Sequence, residues 1–181
     1  VPKVLDIRMV YNGTSSGLNS VCWVPWFPMP TVKSHLRAVE PGTVMGDNDI
    51  GEMFLNFPLH PKLRPYLGVD FTRLYSDELQ EGTTEVIWEH WSRMAMGFRP
   101  SPYITTRSME KARIFIEGDR HDPSNVFRWS HVVLNLPGQP DFNPSKPWVF
   151  KSRTDGSIAA ALFIYIDDLR PTAPTEDECW G

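Results

Sequence analysis

Cysteine, long apolar runs and an excess of basic charge are all scarce in this sequence of 181 residues. Its two cysteines, Cys22 and Cys179, lie far apart and lack the CxxC or Cys/His spacing of zinc sites. That excludes a disulfide framework and a structural zinc, and the pair reads as isolated thiols of a reducing compartment. No stretch approaches the roughly 18 apolar residues needed to cross a bilayer, and no charged segment followed by an apolar one opens the chain. Membrane insertion and secretion therefore have no support, and an intracellular setting, cytoplasm or nucleus, is expected with no membrane partner. The net charge of −4 argues against a bulk polyanion binder, because such domains carry a basic excess that releases counterions. No repeat with a period of 20 to 50 residues and no low-complexity run is present, which removes solenoids and propellers.

What is present suits one soluble domain with a real core: 41% of the residues are apolar and 22% are charged. Seventeen prolines and seven tryptophans predict many short elements, turns and aromatic packing, hence an α+β domain rather than a helical bundle. Val1 stands where an initiator Met is expected, and the terminal Cys-Trp-Gly follows the last strand candidate with no closing element, so the chain reads as part of a longer protein. Charge is uneven. Between Trp91 and Arg120 six basic residues face three acidic ones, whereas Asp167 to Gly181 holds one basic and five acidic residues. Such a chain could hold a phosphate backbone in one place and divalent metals in another.

Along the chain, Asp6 to Tyr11 is a strand candidate followed by the turn Asn12 to Gly17. Val21 to Val32, with three prolines, reads as extended. Thr43 to Asp49 and Pro65 to Thr72 are further strand candidates, and Glu85 to Met96 reads as extended. The clearest helix runs from Pro102 to about Glu117, with Ser101 as its N-cap and Gly118 closing it. Its expected core stripe is Ile104, Ser108, Ala112 and Phe115. Asp119 to Pro147 reads as a long insertion with little regular structure of its own around the short run Val132-Val133-Leu134. Trp148 to Ser152 and Ile158 to Ile166 read as a hairpin through Asp155-Gly156, the second strand lying in the middle of a sheet because both its faces are apolar.

That strand runs into Asp167-Asp168. Two adjacent carboxylates after a buried strand repel each other unless a cation compensates them, and a divalent metal is the natural compensator. Magnesium prefers hard oxygen ligands and keeps waters or substrate phosphates, so two or three protein carboxylates suffice. Asp49, ending another strand candidate, is the obvious third. Two ions so held suit phosphoryl or nucleotidyl transfer. The competing reading of the Asp-Asp pair is an exposed turn.

Several segments together resemble a known family. Asp49-Ile-Gly-Glu-Met-Phe-Leu-Asn-Phe-Pro-Leu59 resembles the first palm motif of reverse transcriptases, and Tyr165-Ile-Asp-Asp-Leu169 looks like their Tyr-x-Asp-Asp motif. Met96-Gly-Phe-Arg-Pro-Ser-Pro102 is similar to the family's Gly-containing motif before a helix. Ile7-Arg-Met-Val-Tyr11 with Leu18-Asn19 matches its fingers pattern. The four segments occur in the family's order and cover nearly the whole chain.

The resemblance implies an α+β polymerase palm, a ferredoxin-like antiparallel sheet packed on helices, with part of the fingers. Residues 1–40 and about 60–100 would be fingers-like, 41–59, 101–118 and 157–181 palm, and 119–156 an insertion within a single domain. It implies that Asp49 and Asp167 ligate two magnesium ions, or manganese, with Asp168 supporting the site and the Ile50 carbonyl adding a ligand. Phe54 would exclude a 2′-hydroxyl, Arg8 would meet the triphosphate, and Met96 and Gly97 would line the nucleotide pocket. For Phe54 a core position competes, for Arg8 a surface ion pair, and for Gly97 a plain turn. The partners would be an RNA or DNA template with its primer, and deoxynucleoside triphosphates. Met96 and Pro100 depart from the residue types common in the family, and the stretch from Ser101 to Asp167 is longer than usual there. Two alternatives stand beside an RNA-directed DNA polymerase: an RNA-templated RNA polymerase, and a non-catalytic remnant that binds nucleic acid or a protein partner.

Overall fold

A computed structural model of the chain describes residues 9–75 and 85–180. Helices α1 (Leu18–Val21) and α2 (Val32–Leu36) come first, then strands β1 (Val44–Met45), β2 (Asn48–Asp49), β3 (Gly68–Asp70) and β4 (Trp88–His90). Helix α3 (Ser101–Glu117), strands β5 (His131–Leu134), β6 (Val149–Ser152), β7 (Ala161–Tyr165) and β8 (Asp168–Ala173), and helix α4 (Glu176–Trp180) follow. Every strand pairing among the described residues is antiparallel, and with the helices this makes the architecture mixed α+β. Among the described residues no helix is long and apolar enough to cross a membrane.

The chain divides into two compact units: Val1–Trp26 with Glu52–Thr105, and Phe27–Gly51 with Thr106–Gly181. The first is built on a core of Tyr11, Leu59, Leu67, Met94, Ala95 and Phe98. Asn12 to Gly17 forms the expected turn. The strand expected over Asp6 to Tyr11 is not regular where it is described, at Met9 to Tyr11, although Tyr11 N–H donates to the Met96 carbonyl at 2.8 Å. Its beginning, including Arg8, lies outside the described residues. The Pro65 to Thr72 candidate shortens to β3, because Arg64 to Tyr66 forms a 3-10 turn, and β3 pairs with β4.

In the second unit β8 is the central strand, flanked by β7 on one edge and by β1 and β2 on the other. The expected strand Thr43 to Asp49 is present in two pieces sharing one register, with Val44 opposite Ala173 and Asp49 opposite Asp168. The gap has a covalent cause. Gly46 N–H donates to the Pro171 carbonyl at 2.9 Å, but proline has no N–H with which to return the bond. Gly46 is also required sterically, since a Cβ there would lie 2.9 Å from Pro171 Cγ.

Four expectations are corrected here. The apolar strand ending at Tyr165 is an edge, not the middle, and its partner is the unforeseen β8. The Asp155-Gly156 turn forms, but beyond it only Ser152 and Ile158 bridge, while β6 pairs along its length with β5. The segment 119–156 is therefore not structureless. Its long loop is fixed by the buried Asn135, whose amide donates to the carbonyls of Asn143, Lys146 and Pro147 and accepts from Asn143 N–H. Helix α4 does follow the last strand, burying Cys179 with Ala160 and Ala173.

Helix α3 starts and stops nearly where expected, with Gly118 at φ 60° donating to the Ile114 carbonyl. Ser101 does not cap it. Its buried hydroxyl donates to the Ala95 carbonyl at 3.0 Å, and the Pro100 carbonyl accepts the first helical bond from Ile104. The buried positions are Ser101, Thr105 and Met109, one turn apart, whereas Ile104 and Phe115 of the expected stripe are exposed, Phe115 by 88%. Small hydroxyl residues thus hold the places reserved for apolar ones. Before this, Val21 closes α1, residues 22–31 form neither helix nor strand, and α2 follows, where Thr31 and Ser34 form a reciprocal cap.

Candidate metal centre

The site begins with the turn between β7 and β8. Tyr165 pairs with Asp168, leaving Ile166 and Asp167 as a two-residue loop. Ile166 lies at φ 53°, a left-handed conformation uncommon for a β-branched residue and costing about 1–2 kcal/mol. Neighbouring structure holds it there: Ile50 N–H donates to the Asp167 carbonyl at 2.9 Å, tying the end of the β2 edge to the turn.

This closure places Asp49, Asp167 and Asp168 together. One carboxylate oxygen from each lies within 4.8 Å of the others, Asp49 being exposed and the two turn residues half-buried. Asp49 and Asp168 are direct cross-strand neighbours, so their side chains share a face. Arg170 is two residues from Asp168 on that same face, but its Nε is engaged by Asp47 at 3.3 Å. Among the described residues no Lys or Arg forms an ion pair with any of the three clustered carboxylates. Three hard oxygen donors without a cationic partner fit a magnesium or manganese ion better than zinc or copper, which favour nitrogen and sulfur.

The same sheet face carries Phe163, opposite Arg170, and the His35 ring lies 5.3 Å from it. Burial, and then the positive charge of Arg170, push its imidazole below its ordinary value of 6.5.

The other nominated residues divide. Ile50 is at the carboxylate cluster, where its N–H is spent on the Asp167 carbonyl. Arg8 falls outside the described residues. Phe54 belongs to the first unit, half-buried against that unit's core. Met96 and Gly97 are adjacent there, Met96 accepting from Tyr11 N–H and Gly97 adopting φ 91°. Gly97 is obligatory, because an added Cβ would fall 2.1 Å from the Tyr11 carbonyl oxygen. Asn19 fastens this loop: its amide donates to Gly97 O at 2.9 Å and accepts from Arg99 N–H at 2.8 Å. The Asp47–Arg170 pair had no sequence signal until β8 was placed, since 123 positions separate the two.

No family model matches this chain, and no curated protein matches it.

Proposed function

We propose that the chain is the fingers and palm part of a reverse transcriptase, an RNA-directed DNA polymerase that adds deoxynucleotides to a primer 3′-hydroxyl on an RNA or DNA template. The observation that carries this reading is the carboxylate cluster: Asp49 from β2, Asp167 from the tight turn and Asp168 from the start of β8, with one oxygen of each within 4.8 Å of the others. A central antiparallel strand whose turn carries two of those carboxylates agrees with the palm implied by the motif resemblance.

Asp49 and Asp167 would hold two magnesium ions, with Asp168 neutralising the same charge. Held there, the ions would supply a lowered pKa for the attacking hydroxyl and positive charge for the leaving pyrophosphate. The protein's own contribution is positional. The Ile50–Asp167 hydrogen bond and the β2–β8 register hold the carboxylates before any ion arrives, so little reorganisation accompanies binding.

The resemblance gives Phe54 the task of rejecting ribonucleotides. Primer extension on an RNA template, comparing deoxythymidine with uridine triphosphate in the original chain and in Phe54→Ala, tests the reading. Preference for the deoxynucleotide, relaxed in Phe54→Ala, supports it. Equal use of both nucleotides by the original chain would point instead to an RNA-templated RNA polymerase.

A further inference from the structure

We propose a second nucleic-acid contact in the inserted segment, a cavity that takes a backbone phosphate. It measures about 300 Å³, and Arg120, His121, Arg128, Trp129 and Arg153 line it. No acidic residue does. The nearby carboxylates are otherwise engaged: Asp119 accepts from His121 N–H, Asp122 from Ser124, and Glu117 from Lys151. Glu178 neutralises Arg153 through two bonds of 3.1 Å, which leaves two guanidinium charges for a ligand.

The donors are fixed and incompletely used. Arg120 lies over the Trp129 ring at 4.2 Å, and its Nε donates to His121 Nε2 at 3.0 Å. That bond makes Nε2 of His121 the acceptor and leaves both terminal nitrogens of Arg120 without a hydrogen-bond partner among the described residues. Arg128 spends Nη1 on the Asn125 carbonyl and keeps Nη2. Arg153 is only 9% exposed, and its Nε is buried with no hydrogen-bond partner among the described residues. Ser130 and Thr154 bond to each other at 2.9 Å, which consumes one hydroxyl proton and frees the other. Guanidinium forks with a free hydroxyl suit the tetrahedral oxygens of phosphate.

The choice of nucleic acid as carrier of that phosphate rests on the polymerase reading, whereas affinity for phosphate does not. With a net charge of −4 the chain has little general attraction for polyanions, so a local pocket can dominate binding.

The test is equilibrium binding of a short fluorescent oligothymidylate to the full chain over a range of salt, with inorganic phosphate as competitor. Arg120→Gln/Arg128→Gln should bind about tenfold more weakly, with a salt slope shallower by about 0.7, the contribution of one phosphate contact to a single strand. A control with equal charge loss on helix α3, Arg107→Gln/Lys111→Gln, should change less than about twofold. Inorganic phosphate should displace the oligonucleotide from the original chain. Should the Gln variant not fold, Arg120→Lys/Arg128→Lys keeps the charge but loses the forks, and should still weaken binding. Equal losses in the pocket and control variants, no loss in either, or no competition by phosphate would overturn the proposal. Asp167→Asn should retain this binding, so a failed polymerase reading and a failed phosphate site give different results.

Discussion

Asp49 and Asp168 oppose each other across the β2–β8 ladder, two like charges on neighbouring positions of one sheet face. A directly opposed like pair destabilises a sheet by about 0.2–1 kcal/mol. Among the described residues no cationic side chain pairs with this arrangement, and the proposed metal would offset its repulsion.

Without divalent metal, Asp49→Asn is therefore expected to melt about 1–3 °C higher than the original chain, because it relieves the repulsion. Magnesium should reverse the order. At a hundredfold excess over its Kd a ligand of the folded state contributes about 2.7 kcal/mol, or roughly 5–10 °C for a chain of this size. Thermal melts with and without magnesium read both effects, and the rise should shrink in Asp49→Asn.

The Asp47–Arg170 pair engages a guanidinium on the same sheet face as Asp49 and Asp168. Asp47→Asn releases Arg170 to compete for Asp168, so the magnesium concentration at half-effect should rise about two- to fivefold, the range set by one exposed ion pair. Metal titration of the melting temperature measures it. An additional Arg170→Gln substitution should restore the original value.

Gly97→Ala combines a left-handed backbone with a collision against the Tyr11 carbonyl, while Gly17→Ala meets only the backbone cost at φ 77°, with nothing within 4 Å. Gly17→Ala should lose about 1–2 kcal/mol, and Gly97→Ala clearly more. Urea unfolding of the two variants gives the comparison.

His35 supplies a pH test. Its folded-state value is lowered below 6.5, so in acid the unfolded chain binds the proton that the folded chain resists. The associated stability is fully present above 6.5 and is lost as pH falls through that value toward the lower folded one. Denaturant midpoints from pH 7.5 to pH 5 should fall less steeply in His35→Gln than in the original chain.

The Asp-Asp pair and helix α3 were readable from the chain because their signals are local, whereas Asp49 joins the pair through the β2–β8 register. Asp-Asp beside a strand end, and a Pro102 start with a Gly118 stop, need no knowledge of distant partners. Strand β8 was hidden by Pro171, which argues against a central strand unless a glycine such as Gly46 stands opposite. The edge position of β7 was hidden for a related reason, since two apolar faces suit a central strand equally well. Pairing of β5 with β6 depends on the side chain of Asn135 closing a long loop, which no periodicity announces. The buried face of α3 escaped because Ser101 and Thr105 are polar yet fully enclosed.

The measurement closest to the central claim is magnesium-dependent primer extension on an RNA template by the original chain and by Asp167→Asn. The account predicts deoxynucleotide addition that requires the metal and falls by at least about a hundredfold in the variant, in line with loss of a group that stabilises charge in the transition state. Extension undiminished in Asp167→Asn would contradict it. So would a chain that neither extends a primer nor changes its melting temperature with magnesium, the behaviour of a non-catalytic remnant.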